Sequence, residues 1–235
     1  APESGKTISL GTGKQAYSKN TARKNAARYQ CRGARYPWQS GISGTEQCSL
    51  WEYADNEVHI TADVAFAVMH YYLATEDREF LFHYGIEILL ETARFWVDRV
   101  DCDSDGTYHL LNVMGPDEYS PMTRDNGFTV RMVKYNLDSA VEMAKFMRDE
   151  VPGKYRIVTE ALGISEKELG RFKEISAGLS LPYDAGRDLY LQSADFEQYA
   201  SIDLSQLWKD KKKAFGHFAP QEKIYRTRCI KQADT

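Results

Sequence analysis

Apolar side chains return every third or fourth position along three long stretches of this 235-residue chain, a period that commits much of it to helices. Over 59–75, Ile60, Val64, Ala65, Val68, Met69 and Tyr72 share one face. Over 77–100 the face is broader and holds Phe80, Leu81, Tyr84, Ile88, Phe95 and Trp96. A third stretch, 129–149, aligns Val130, Val133, Leu137, Ala140, Val141 and Ala144, with Met132, Met143 and Met147 as core or near-core filling. Ser165-Glu166-Lys167-Glu168 reads as a capping box opening a helix that runs to Ala177. Pro220 suits the first turn of a last helix with Ile224 and Ile230 facing inward. Between the helices, Thr107 to Val113 is the only strand-like run, entered through the turn signal Asp103-Ser104-Asp105-Gly106. The pattern predicts an all-α fold with long loops and at most one short β-hairpin or strand. Long loops on helical scaffolds are where chemistry gathers.

Composition narrows the class. Hydrophobic residues make up 43 % and charged residues 27 %, the balance of a soluble globular chain. No apolar run approaches the length of a membrane span, so no membrane partner is expected. The opening residues APESGKTISL hold no apolar signal core and no initiator Met, and the chain stops abruptly at Lys231-Gln232-Ala233-Asp234-Thr235. These features predict a piece of a longer protein. Cys31, Cys48, Cys102 and Cys229 are scattered, with neither a disulfide framework nor zinc-ribbon spacing, and no Asn-x-Ser/Thr sequon occurs. Free thiols in a reducing compartment follow, and with them a cytoplasmic location.

Charge is unevenly distributed. Residues 4–45 carry Lys6, Lys14, Lys19, Arg23, Lys24, Arg28, Arg32 and Arg35 and no acidic side chain. With Glu3, the first 45 residues sum to +7, which leaves −11 for the rest of a chain whose net charge is −4. Such an arm suits either a phosphate-bearing partner or the acidic remainder of the same molecule, and the second is favoured because no nucleic-acid motif accompanies it. A nucleotide loop is excluded. Gly5-Lys6-Thr7 lacks the glycine five residues earlier, and Gly11-Thr12-Gly13-Lys14 is followed by Gln15.

Two loops combine aromatic and polar groups. The first runs Gly33-Ala34-Arg35-Tyr36-Pro37-Trp38-Gln39-Ser40-Gly41 and continues to Gly44-Thr45-Glu46-Gln47-Cys48. Tyr36 and Trp38 beside Gln39 and Glu46 offer a flat apolar platform next to hydrogen-bonding groups, the mixture a sugar ring requires. The second, Asn112-Val113-Met114-Gly115-Pro116-Asp117-Glu118-Tyr119, turns at Gly115-Pro116 and presents two adjacent carboxylates next to a tyrosine. A general acid for glycosidic cleavage needs a carboxyl in a partly apolar or anionic setting. On spacing alone, Asp-Glu in a turn is more often simply solvated than catalytic.

In order along the chain, these segments resemble glycoside hydrolase family 65, the family of maltose, trehalose and kojibiose phosphorylases. The resemblance runs from Ala22-Arg23-Lys24-Asn25-Ala26 through Gly33-Ala34-Arg35-Tyr36-Pro37-Trp38-Gln39-Ser40 and Glu57-Val58-His59-Ile60-Thr61-Ala62-Asp63. It continues with Glu91-Thr92-Ala93-Arg94-Phe95-Trp96 and Gly115-Pro116-Asp117-Glu118-Tyr119, and returns at Ile230-Lys231-Gln232-Ala233-Asp234. It implies that residues 22–235 are part of an (α/α)6 toroid catalytic domain, with 1–21 an unassigned basic segment. It also implies that Glu118 is the general acid, and that Trp38, Gln39, Asp117, Lys231 and Gln232 bind the sugar.

The same resemblance implies no metal and no organic cofactor, with inorganic phosphate as co-substrate and a disaccharide as substrate. The reaction would cleave an α-glucosidic bond with inversion, most simply by phosphorolysis to β-glucose 1-phosphate, with hydrolysis as the alternative. The family's phosphorylases are commonly dimers, which implies a homodimer. The upstream Trp-Asp segment expected to grip the substrate is absent from the chain, so the chain by itself is expected to be inactive.

The remaining single residues read as structural. His59, His70, His83, His109 and His217 lack metal-site spacing, and Lys209-Asp210-Lys211-Lys212-Lys213 reads as a solvated loop. Two functions from different classes stand at this point: a carbohydrate-active enzyme, and a non-catalytic helical binding module that directs its basic arm at a phosphate-bearing partner. A site that brings Glu118 beside Trp38, Lys231 and Gln232 favours the first. Basic residues paired with the chain's own acids count against the second.

Overall fold

A computed structural model of the chain describes residues 8–9, 16–17, 19–225 and 227–234. Its helices are α1 (Lys19–Ala27), α2 (Ile60–Thr75), α3 (Arg78–Phe80), α4 (Ile86–Arg99), α5 (Gly127–Glu150), α6 (Pro152–Leu162), α7 (Glu166–Gly178) and the single turn α8 (Leu204–Leu207). The long α5 is the hub, packing against α2, α4, α6 and α7. Trp96, Phe95, Leu89, Leu137, Met147 and Phe172 fill the space between them and are fully buried. One polar clamp crosses this core. The Trp96 indole donates to Asn136 Oδ1 at 3.1 Å, and Asn136 Nδ2 donates to Leu89 O at 3.3 Å, tying α4 to α5.

Local chemistry sets the helix ends. Asn126 caps α5 by accepting from Thr129 N at 2.9 Å. Ser165 caps α7 by accepting from Glu168 N at 3.2 Å, as the capping-box reading expects. The stretch over 77–100 is not one regular helix. Asp77 caps the short α3, and a π-helical turn, Leu81–Gly85, joins it to α4. Leu81, Phe82 and Gly85 of this wide turn are buried. Helix α6 starts with Pro152 in its first turn and ends at the left-handed Gly163. None of its residues is fully buried, though Tyr155, Val158 and Leu162, at helical spacing, pack half-buried against the core.

The β-structure differs from the expectation of at most one hairpin. Among the described residues three antiparallel pairs of two-residue strands occur: β1 (Ile8–Ser9) with β2 (Ala16–Tyr17), β3 (Asp101–Cys102) with β4 (Tyr108–His109), and β5 (Tyr183–Asp184) with β6 (Leu189–Tyr190). Ladders this short carry no alternating pattern and are closed by their turns. Asp184 Oδ1, for instance, accepts from Gly186 N and Arg187 N at 2.8 and 3.1 Å. The strand expected over Thr107–Val113 is cut to Tyr108–His109, because Asp125 Oδ1 takes the next backbone donor, Leu110 N, at 2.9 Å. The helix expected after Pro220 is also reduced, to one 3-10 turn over Gln221–Lys223. Ile224 is buried as expected, whereas Ile230 is half exposed. Beyond that turn the backbone is drawn away to pair with other loops, through Arg228 N to Ala200 O at 2.8 Å and Lys231 N to Asp117 Oδ1 at 2.9 Å.

The basic segment folds back on its own acids. Arg23 on α1 pairs with Glu91 and Glu87 of α4 at 2.7 and 3.1 Å, and Arg32 pairs with Asp98 at 2.7 Å. Arg35 is buried and donates to the Ala54 carbonyl. Lys6 and Lys14 lie outside the described residues, as does the side chain of Lys19.

Candidate active site

The loop that carries Glu118 is built around a buried carboxylate. Asp117 is fully buried, and both its oxygens are taken by the protein. Oδ1 accepts from Lys231 N at 2.9 Å and Tyr119 N at 3.2 Å, and Oδ2 accepts from Gln192 Nε2 at 2.8 Å and Ser120 Oγ at 3.3 Å. Asp117, expected from the sequence to bind sugar, is thus occupied in holding the turn. Asp234 locks the other side by accepting from Asp117 N and Asn126 Nδ2, each at 2.5 Å. Burial pushes the Asp234 carboxyl up, and the two hydrogen bonds act against that rise. Gly115 stands where these groups converge. A Cβ there would run into the Asn126 and Asp234 side chains, so only glycine fits.

Glu118 projects from this frame with about a fifth of its side chain exposed, and the Lys231 ammonium sits against its Oε2. Its hydrogen bond to the Glu118 carboxylate pushes the Lys231 ammonium up from its ordinary value. The Glu118 backbone carbonyl accepts from Gln221 Nε2 at 3.0 Å, and Gln221 Oε1 accepts from Tyr53 OH at 2.8 Å. Gln232 donates its side-chain amide to Pro116 O. Lys231, Gln232 and Glu118 are therefore in one place.

The Tyr-Pro-Trp loop is held against the start of α2, and among the described residues no hydrogen bond or ring contact joins Trp38 to Glu118. Ala34 N donates to Glu91 O at 2.9 Å and Tyr36 N to Thr61 Oγ1 at 3.1 Å, which strings the loop from α4 across to α2. Glu46 gathers the next turn by accepting from Trp38 N, Gln39 N and Cys48 N at 2.7, 3.0 and 3.0 Å. Trp38 meets the edge of His59 with ring centroids 6.1 Å apart, and His59 meets Phe128 of α5 at 5.4 Å. Gln39 is exposed, and its contribution to this turn is the backbone donor to Glu46.

Sequence reasoning assigned no role to several groups that stand here. His59 Nδ1 lies 2.7 Å from Asp63 Oδ2, while its Nε2 has no partner. Glu57 is buried with both carboxylate oxygens unpartnered. Burial pushes its carboxyl up to about 8, helped by the charge of Glu118 and opposed by Lys231, with Glu46 and Asp234 adding to the rise. Glu57 and His59 lie inside a matched motif, Glu57-Val58-His59, but no local pattern marks a buried glutamate as unpaired. The expectation that most of the histidines are satisfied structural groups fits His109, which is buried 2.7 Å from Asp125; His59, with Nε2 unpartnered, is an exception to it. Among the described residues no cluster of three or more His, Cys, Asp or Glu is arranged to hold a metal ion.

Comparisons with known proteins place the chain in a family. Residues 16–235 match the family model for the glycosyl hydrolase family 65 central catalytic domain. The kojibiose phosphorylase of Thermoanaerobacter brockii is 32 % identical over 227 residues, an alignment that takes in 92 % of this chain and 29 % of that protein. The α,α-trehalose phosphorylase of the same organism is 35 % identical over 217 residues, covering 92 % of this chain and 28 % of the relative. A solved structure described as a kojibiose phosphorylase from human microbiome superposes with a TM-score of 0.82 at 28 % identity, over 92 % of this chain and 31 % of that one. The chain thus spans less than a third of the length of each of these relatives. Its all-α architecture is that of a partial toroid, and with the match over residues 16–235 the chain belongs to glycoside hydrolase family 65.

Proposed function

We propose that this chain supplies the acid side of an inverting α-glucoside phosphorylase, with Glu118 as the general acid. The observation that carries the reading is the placement of Glu118: about four-fifths shielded, at the tip of a loop locked by Asp117 and Asp234. Relatives named as kojibiose, trehalose and 3-O-α-D-glucosyl-L-rhamnose phosphorylases support the reaction class. In the reaction, the carboxyl proton of Glu118 passes to the glycosidic oxygen as the bond from that oxygen to the anomeric carbon breaks. A phosphate oxygen forms its bond to the anomeric carbon from the opposite face, giving β-glucose 1-phosphate and the free acceptor sugar. Trp38, Lys231 and Gln232 hold the glucose unit, and Asp117 keeps Glu118 in position. For Glu118 to carry its proton, the Lys231 pair opens as the ammonium turns to the sugar hydroxyls.

Residues 22–235 are read as part of the catalytic domain; the family match begins six residues earlier, at residue 16, and leaves 1–15 unassigned. Activity requires the complete protein, in which a homodimer is the assembly to test. The four cysteines are free thiols, which supports a reducing, cytoplasmic setting. No helix among the described residues is long and apolar enough to cross a membrane.

The test incubates the complete protein with α-linked glucose disaccharides, with and without inorganic phosphate. Phosphate-dependent glucose 1-phosphate is the expected product. Glucose release that ignores phosphate would instead establish a hydrolase, and no turnover on any linkage would overturn the enzyme reading.

A further inference from the structure

The buried carboxylates of this molecule are almost all answered by donors. Glu91 pairs with Arg23 and Arg94, Asp125 accepts from Leu110 N, and Asp117 and Asp234 hold the acid loop. Glu57 breaks the pattern. It is 1 % exposed, and neither of its oxygens has a hydrogen-bond partner. Its neighbours share the condition. Asn56 Nδ2, His59 Nε2 and Asp63 Oδ1 are also buried and unpartnered, so one segment at the start of α2 holds open donors and acceptors side by side. Buried polar groups are left open in this way where a ligand completes them.

The surroundings indicate the ligand. The segment is anchored to the acid loop through Met114 N, which donates to Asn56 O at 3.0 Å. The His59 ring lies between Trp38 and Phe128. Glu57 is within electrostatic range of Glu118, Lys231, Glu46 and Asp234. An anion such as phosphate would meet carboxylates here and be repelled. Hydroxyl groups, which both donate and accept, can answer an amide, an imidazole nitrogen and a carboxyl at once.

We propose that Asn56, Glu57 and His59 form a recognition cluster for the hydroxyls of the hexose ring that lies beside Glu118, with Glu57 as its central contact. The proposal deepens the phosphorylase reading and rests on it for the identity of the ring. Asp63, through its bond to His59 Nδ1, is a positioning residue that fixes the ring nitrogen facing the sugar. With its carboxyl pushed up to about 8, Glu57 carries a proton at neutral pH and donates to a sugar oxygen, and it loses that capacity as pH rises past this value.

The test measures calorimetric binding of glucose and of its singly deoxygenated analogues to the complete protein, as wild type, Glu57→Leu and Glu57→Gln. For wild type, removal of one particular hydroxyl weakens binding on the order of 10- to 100-fold, the worth of a hydrogen bond to a chargeable group. In Glu57→Leu, glucose itself binds that much more weakly, and the same deoxy analogue binds as well as glucose. Glu57→Gln, which keeps a donor and the shape, recovers most of the glucose affinity and loses the alkaline decline seen in wild type. Should Glu57→Leu fail to fold, the pH dependence of binding by Glu57→Gln alone decides the matter. Equal weakening of glucose and every analogue, or unchanged binding in both variants, would overturn the proposal. Sugar binding without phosphorolysis would retire the phosphorylase reading and leave the cluster standing. A wild-type protein that binds neither glucose nor any α-glucoside would overturn both.

Discussion

Glu118 and Lys231 are 113 positions apart in the chain, and their side chains meet in an ion pair at the rim of the site. The same segment that delivers Lys231 also donates its backbone N–H to Asp117, so one stretch of chain both holds the acid loop and presents a cation to its carboxylate.

Glu118→Gln removes the transferable proton while keeping the shape of the side chain. In the complete protein, kcat for the best α-glucoside is expected to fall about 10²- to 10⁴-fold, the usual contribution of a positioned general acid. The melting temperature should hardly move. Glucose 1-phosphate release at saturating disaccharide checks this, and a variant as fast as wild type would remove Glu118 from the mechanism.

Lys231→Met separates binding from folding. The pair is partly exposed, with Lys231 42 % accessible, and such pairs contribute about 0–1 kcal/mol to stability. A small change in urea midpoint is expected, together with a rise in KM for the disaccharide of roughly 10-fold or more, from loss of a charged hydrogen-bond donor to the sugar. A large stability loss with unchanged KM would make Lys231 a structural residue.

Gly115→Ala tests the crowded point of the acid loop. Its new methyl would collide with Asn126 and Asp234, the two groups that fix Asp117 N and the start of α5. Overpacking of this kind costs about 1–3 kcal/mol. Because the displaced atoms hold the loop of Glu118, kcat should fall along with stability. Denaturant titration and steady-state rates on the same preparation read both.

Asn136→Ala probes the core away from the site. It leaves the buried Trp96 indole N–H without its partner, whereas the Leu89 carbonyl keeps Thr92 Oγ1 at 3.2 Å, at a cost of about 1–3 kcal/mol. Activity per folded molecule should be unchanged, which a rate normalised to the folded fraction would show.

Glu57 also makes stability depend on pH. Its folded value lies near 8, above the ordinary carboxylate value of 4.5, so between these limits the folded protein holds a proton that the unfolded chain has released. Stability from this group is full below pH 4.5 and declines as pH rises to 8, with a limiting slope of about 1.4 kcal/mol per pH unit. Glu57→Gln should remove this part of the slope. Unfolding free energies of the two proteins at several pH values between these limits test it; parallel curves would contradict the assignment.

Much of the scaffold was legible because helix formation is written in nearest-turn contacts. The period over 59–75 and 129–149 returned α2 and α5 to within a residue or two, and the Ser165 cap returned α7. Where the period failed, the cause lay outside the helix concerned. Helix α6 lays only a half-buried face, Tyr155, Val158 and Leu162, on the core, and the backbone after Pro220 is captured by Ala200 and Asp117 before a helix can grow. The site was legible in part. Glu118, Lys231 and Gln232 came together as expected, whereas Asp117 proved to be spent on protein donors, and the open carboxyl of Glu57 left no trace in its neighbours along the chain.

The sequence by itself determined the all-α class, the helix caps, the glycine-containing turn before Glu118 and the family to which the chain belongs, since these depend on residues a few positions apart or on motifs in order. Tertiary structure decided which side chains face one another. Lys231 against Glu118, Asp234 between Asp117 and Asn126, and His59 between Trp38 and Phe128 are contacts between distant segments. Burial decided the rest: it raises the Glu57 carboxyl and leaves it unpaired beside the acid, and burial belongs to the packed molecule rather than to any stretch of chain.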